Sequence, residues 1–240
     1  MVGLHQAHAA FDLAFRSGGA RDTTCSKMEL AGLTIASLNR EAGVHYLPTP
    51  WRVLDWLHAM LPPPDARWSF VDLGCGKGRA LMSAAARPYG RVIGVEFARE
   101  LAQLAAANVA TSISRRAGSI EIVEGDAADF KLPASPLCVY LFNPFGPPVI
   151  ERVAENLART YGDTPRPIFV AYLNPRHAEL FDALPQFQRV PTGRAMGMKL
   201  ALLSPYRLHL YATPEAMALL PEAQSDRTPP VTPAGAPLSR

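Results

Sequence analysis

Val71-Asp72-Leu73-Gly74-Cys75-Gly76-Lys77-Gly78-Arg79 is the stretch on which the reading of this chain turns. The apolar run Trp68 to Leu73 predicts a short buried strand, and the Ala-rich run Arg79 to Ala86 predicts a helix. The three alternate glycines therefore occupy a strand-to-helix corner, the place where ligands bind in open α/β sheets. Glycine adopts positive φ at no steric cost and carries no Cβ to collide with a ligand, while a helix start offers unpaired N–H groups. Such a corner suits a nucleotide, although by itself it is also an ordinary tight turn. Lys77 suggests a phosphate loop, but no Ser or Thr follows it and the glycine spacing does not fit, which sets nucleoside triphosphates aside.

The flanking segments strengthen the nucleotide reading. Arg91 to Val95 is a second β-rich run ending in Glu96, an acid about 20 residues beyond the glycines and so placed to accept hydrogen bonds from ribose hydroxyls. Ile120 to Val123 is a third strand, closing in Gly125-Asp126. Leu137 to Phe142 is a fourth, closing in Asn143-Pro144-Phe145-Gly146, and Ile168 to Leu173 is a fifth, closing in Asn174-Pro175-Arg176-His177. Between them lie helical runs such as Ala98 to Val109, with Leu101, Leu104 and Ala105 at helical spacing. Met198 to Leu203 and Arg207 to Ala212 read as two further strands around Ser204-Pro205-Tyr206. The alternation predicts an α/β fold, a Rossmann-like, doubly wound and mainly parallel sheet closed by a C-terminal antiparallel hairpin.

Upstream, Thr49-Pro50 reads as a helix start, with Thr49 as N-cap and Val53, Trp56, Leu57, Met60 and Leu61 on one face. Earlier still, Phe11 and Phe15, then Met28, Leu30, Leu33 and Leu38, suggest short amphipathic helices. The expected organisation is an N-terminal helical cap over residues 1–48 and a main domain over 49–213. A short helix with a disordered Pro-rich tail is expected over 214–240.

Four ordered motifs resemble the class I S-adenosylmethionine-dependent methyltransferases: D-L-G-C-G-K-G at 72–78, G-V-E-F at 94–97, G-D-A at 125–127 and N-P-F-G at 143–146. The resemblance covers roughly residues 45 to 212 and implies a seven-stranded sheet with S-adenosyl-L-methionine as cofactor. H-Y-L-P-T-P-W at 45–51 is also similar to a lead-in found in a bacterial branch of that family. Carried over by motif, cofactor-binding roles fall on Asp72, Gly74, Cys75, Gly76, Gly78 and Arg79 in the first loop. They also fall on Glu96 and Phe97 at the ribose and adenine, on Asp126 and Ala127 at the adenine, and on Asn143. Tyr46 and Thr49 lie on a loop expected to cross the cofactor mouth. Asn143, Pro144 and Phe145 are the expected catalytic residues. Proline fixes the backbone so that the Asn143 side-chain carbonyl and the following carbonyls face an amine, which favours nitrogen as the methyl acceptor. Phe145 stands where many nitrogen methyltransferases have a second proline. His177 is the one candidate general base.

Two other functional classes compete with this reading. An NAD-dependent oxidoreductase shares the glycine corner and the acid, but Gly-x-Gly-x-Gly replaces Gly-x-Gly-x-x-Gly. A non-catalytic nucleotide-binding module would use the N-terminal helices and the tail for partners. The 240 residues are 48% hydrophobic, enough for a full core, and 19% charged with a formal net charge of +3. The basic residues are scattered, so no nucleic-acid surface is expected. The partner is then a protein or small-molecule methyl acceptor. Cys25, Cys75 and Cys138 have no metal-ligand spacing, so no metal is expected. With no apolar run long enough for a membrane, a reducing cytoplasm is the expected setting.

Overall fold

The computed structural model describes residues 33–34, 47–111, 115–143, 145–204 and 206–221. Most of the expected cap, including Tyr46, and the expected tail beyond 221 lie outside the described residues, as do Pro144 and Pro205.

Helix α1, Trp51–Met60, buries Val53, Leu54, Trp56, Leu57 and Met60 along one face, the spacing that the sequence gives an amphipathic helix. Its start differs from the expectation. The N-cap is Pro50, with no side-chain cap bond, because the Thr49 hydroxyl is turned into the core, 2.6 Å from the Tyr140 phenol. A buried hydroxyl pair satisfies two polar groups at once, which outweighs one solvent-replaceable cap bond.

Strands β1 (Ser69–Leu73), β2 (Arg91–Glu96), β3 (Ser119–Glu124), β4 (Leu137–Phe142) and β5 (Ile168–Leu173) are mutually parallel. Helices α2 (Arg79–Ala85), α3 (Arg99–Ala110) and α4 (Pro147–Asp163) connect them. After β5 come α5 (Ala178–Asp182), β6 (Gln188–Arg189), α6 (Arg194–Leu203), β7 (Leu208–Ala212) and α7 (Pro214–Met217). The sheet order is β3-β2-β1-β4-β5-β7-β6, with β7 antiparallel to both of its neighbours. The α/β, mainly parallel seven-stranded expectation therefore holds.

Its closing element needs correction. Met198 to Leu203 is not a strand but part of α6, and the partner of β7 is the two-residue β6. The run Ala195 to Leu203 is made of Ala, Met, Gly, Lys and Leu without one β-branched residue, a composition that favours helix over strand. The pair β6–β7 is antiparallel but is separated by α6, so it is not a tight hairpin.

Alternation along each strand divides the core into two layers. Phe70, Cys138, Tyr140 and Phe169 face the layer that includes α1 and residues of α2, α3, α6 and α7. Val71, Leu73, Val139, Leu141, Val170 and Tyr172 face α4 and Phe181 of α5. The central strands are buried on both sides, as parallel sheets require. The chain winds outward through β1, β2 and β3, then crosses back to β4, which lies on the other side of β1. The switch point between β1 and β4 opens a crevice at the carboxyl ends of the strands.

Candidate active site

Gly74, Gly76 and Gly78 all have positive φ, 82°, 53° and 81°, a region that side chains disfavour. The Gly74 and Cys75 amides donate to the Val95 carbonyl at 2.9 and 3.0 Å, holding the loop on the end of β2. Gly78 lies so close to α3 that an added Cβ would meet the Ala105 Cβ at 3.2 Å. Gly94 of β2 is needed for the same loop, since a Cβ there would stand 2.8 Å from the Cys75 sulfur and 2.5 Å from Leu81 Cδ1.

Two carboxylates line this corner. Asp72, 3% exposed, is the penultimate residue of β1, opposite Gly94 on one side and Tyr140 on the other. Burial, helped by the nearby Glu96, pushes its carboxyl well above the usual range. Glu96, also 3% exposed, accepts the Gly76 amide at 2.8 Å and the Ala98 amide at 3.0 Å, one on each oxygen. Burial raises its pKa to about 6 against the opposing pull of those backbone donors. Each oxygen keeps a lone pair for a further donor. Cys75 is buried and free, its thiol pushed up mainly by burial and further by the two acids, so it is an inert wall.

The tips of β2 and β3 are joined by the Gly125 amide donating to the Glu96 carbonyl at 2.9 Å. Half-buried Asp126 accepts the Ala128 amide at 2.9 Å, and Ala127 is buried behind it. Phe97 is half-buried, and Phe145 meets it at right angles with ring centres 6.4 Å apart. Phe145 is itself 6% exposed within the second core layer, so it forms a wall between two loops and not an open aromatic platform. Leu33 packs with Phe97, Ala98 and Leu101, and the Thr34 amide donates to Glu100 at 2.9 Å. These two residues of the expected cap lean on the start of α3.

Asn143 ends β4 at φ 37° and is 8% exposed. Asn174 ends the neighbouring β5 in the same left-handed region, at φ 51°, so two Asn-Pro tips stand side by side at the crevice. The Asn143 side-chain oxygen accepts from the Tyr172 hydroxyl at 3.4 Å. Thr49 and Arg79 serve this edge from beneath: the Arg79 guanidinium donates to the Thr49 carbonyl at 3.0 Å and lies over the Trp51 ring at 5.4 Å. His177 sits at the N-cap of α5, 3.6 Å from Glu179.

Sequence reasoning missed Tyr172, because a tyrosine within an apolar run reads as core, and it missed the wall beside Asn143. There the Tyr206 ring meets the Phe142 ring edge-on at 4.8 Å, and the Asn174 amide donates to the Arg207 carbonyl at 2.7 Å. A groove of about 440 Å³ opens from this wall between α6 and β7, lined by Thr192, Leu200, Ser204, Tyr206, Arg207 and His209 among others. Among the described residues no cluster of His, Cys, Asp and Glu could hold a metal ion, and no helix is long and apolar enough to cross a membrane.

Residues 70–162, from β1 to the end of α4, match the family described as "Methyltransferase domain". This segment is a methyltransferase domain. It contains the glycine corner, both acids, Asp126 and Asn143, so the class I resemblance of those four motifs holds. The nocamycin O-methyltransferase of Saccharothrix syringae is 33% identical over 103 residues, which are 42% of this chain and 34% of that protein. The match thus spans about a third of the relative's length. Among solved structures, an RNA methyltransferase from Salinibacter ruber in complex with S-adenosyl-L-homocysteine is 20% identical, with 70% of this chain and 92% of that chain covered and a TM-score of 0.47. Precorrin-6y C5,15-methyltransferase from Geobacter metallireducens GS-15 is 14% identical, with coverages of 72% and 93% and a TM-score of 0.49. The family match ends with α4, and the Tyr206 wall and the groove lie in the part of the chain beyond it.

Proposed function

We propose that this chain transfers a methyl group from S-adenosylmethionine to a small molecule held between the Asn143 tip and the groove beside α6. The observation that carries the proposal is the corner of three positive-φ glycines clamped by the Glu96 carboxylate at the switch point. That cradle fits the donor: its backbone comes close without Cβ atoms, and Asp72 and Glu96 are the nearby acceptors.

Asp72 would take the donor's ammonium group, which favours its ionised form. Glu96 would take ribose hydroxyls on its remaining lone pairs. Phe97 and Asp126 would border the base. When bound, S-adenosylmethionine supplies a sulfonium methyl that departs to a nucleophile in line with the carbon–sulfur bond. Asn143 would hold that nucleophile on the methyl axis, and alignment of this kind lowers a barrier by about 7–11 kcal/mol in favourable cases. The groove volume suits a small molecule. The nitrogen expectation rests on the Asn143 amide oxygen accepting an N–H. A second reading, transfer to oxygen, is favoured by the Tyr172 hydroxyl already bonded to that amide oxygen and by the O-methyltransferase activity named for the curated relative.

Thermal denaturation of the full chain with S-adenosylhomocysteine and with NAD tests the donor site. The expected result is stabilisation by the first alone; stabilisation by NAD alone makes the chain an oxidoreductase. Labelled methyl donor added to cell extract is expected to give a labelled product in the small-molecule pool. Label confined to nucleic acid or protein would overturn the acceptor class.

A further inference from the structure

We infer that Tyr172 is a positioning residue that turns the amide nitrogen of Asn143 toward the acceptor, and that the acceptor atom is accordingly an ionisable oxygen, as in a phenol, an enol or a carboxylic acid. The inference rests on the methyl-transfer reading above and deepens it.

Tyr172 is fully buried in β5, with its ring set against Phe181 at 5.5 Å. Its hydroxyl touches two groups with different capacities. The His177 backbone N–H favours its ionised form, and an amide N–H can only donate. The Asn143 side chain lies 3.4 Å away through Oδ1. The phenol gives its own proton to Asn143. That proton is held tightly, since burial pushes the phenol up to about 12. Only the amide oxygen can receive it, so the orientation of the Asn143 amide follows from donor and acceptor accounting.

The other end of the amide then faces away from Tyr172. Among the described residues Nδ2 donates to nothing, and it is not one of the sealed polar atoms lacking a partner, so it keeps accessible surface at the end of β4. What Asn143 offers there is a pair of N–H donors. An amine would bring its own N–H groups against them. An oxyanion takes one N–H on one lone pair and keeps another for attack. The donor also stabilises the ionised oxygen, lowering the acceptor's pKa. The acceptor oxygen gives an electron pair to the methyl carbon, the methyl–sulfur bond breaks, and its electrons return to sulfur as a neutral thioether. The acceptor's proton has already passed to water on ionisation, so no side-chain base is required. His177, the base expected from the sequence, lies 3.6 Å from Glu179.

The test uses the full chain, cell extract and S-adenosylmethionine carrying a 13C-labelled methyl group. The methyl carbon of the product is read by NMR, where methyls on oxygen and on nitrogen resonate in separate windows. An O-methyl product is expected and an N-methyl product overturns the inference. Asn143→Asp keeps an acceptor but has no donor, so it is expected to lose at least about 100-fold in turnover; near-normal turnover would contradict the assignment. Tyr172→Phe is expected to lose about tenfold in kcat, the scale of one orienting hydrogen bond. The acid limb of its pH profile should move to higher pH as the acceptor loses its donor. A drop in kcat with an unmoved limb would reduce Tyr172 to a structural role. Affinity for S-adenosylhomocysteine, measured by calorimetry, should stay within about twofold in Tyr172→Phe. If wild-type protein fails to bind S-adenosylhomocysteine, the donor site itself is wrong; if it binds but forms no methylated product, the methyl-transfer reading falls and takes this inference with it.

Discussion

At single residues, the glycine corner and Glu96 control each other. The carboxylate is raised to about 6 because it is buried. Its neutral form therefore contributes stability that is full below the unfolded value near 4.5 and is lost as pH rises through about 6. A ribose donates to the ionised form, so binding should release a proton. Affinity for S-adenosylhomocysteine is expected to tighten from pH 5 to pH 7, and Glu96→Gln should weaken it and flatten that dependence; calorimetry across the range checks both. Gly78→Ala places a Cβ at φ 81° and within 3.2 Å of Ala105. A loss of about 1–3 kcal/mol in denaturant unfolding is expected, with weaker binding of S-adenosylhomocysteine because the loop must shift. These residues were legible in the chain because their chemistry is local: glycines at alternate positions, an acid at the end of the next strand. Tyr172 was not, because its partner lies 29 residues away on another strand and no local pattern marks that pairing.

At the level of elements, packing overrides local preference in identifiable places. The parallel strands are continuous apolar runs and are legible as such, whereas β6 is two polar residues, Gln188 and Arg189, made a strand only by pairing with β7. Helix α6 was read as a strand because its apolar residues cluster, although Met198 and Leu202 are largely exposed. Helix α1 carries His58 into the core beside Phe70 and Tyr89, at 5.8 and 6.1 Å, with neither ring nitrogen bonded. Burial first, and Arg87 second, lower its pKa to about 3. Its contribution to stability is present above the unfolded value near 6.5 and is lost progressively as pH falls toward 3. Replacing it with phenylalanine should remove that component. The stability difference between His58→Phe and wild type is expected to move in the variant's favour by roughly 1 kcal/mol per pH unit below 6.5, read from urea midpoints at pH 7, 5.5 and 4.5. Arg166 ties three segments together by donating to the carbonyls of Pro133, Ser135, Thr160 and Thr164. Arg166→Met strands those acceptors and is expected to cost about 3 kcal/mol or more in denaturant unfolding. Lysine should not rescue it, since an ammonium cannot reproduce the planar fork.

For the molecule as a whole, the direction of β7 matters most. It is the strand that runs against the five parallel ones, so its first residues arrive at the same edge where β4 and β5 end. Tyr206 and Arg207 are thereby delivered next to Phe142 and Asn174, although they lie far along the chain. The proposed donor cradle draws on residues from Asp72 to Ala127 and on Asn143, and the opposite wall on residues after about 190. Two stretches of one chain can thus be altered separately. A chimera that exchanges residues 190–207 for those of another such protein is expected to bind S-adenosylhomocysteine unchanged while accepting a different compound; loss of S-adenosylhomocysteine binding in the chimera would contradict this separation. Selection can retune what receives the carbon without disturbing what delivers it, as a workshop changes its vice and keeps its lathe.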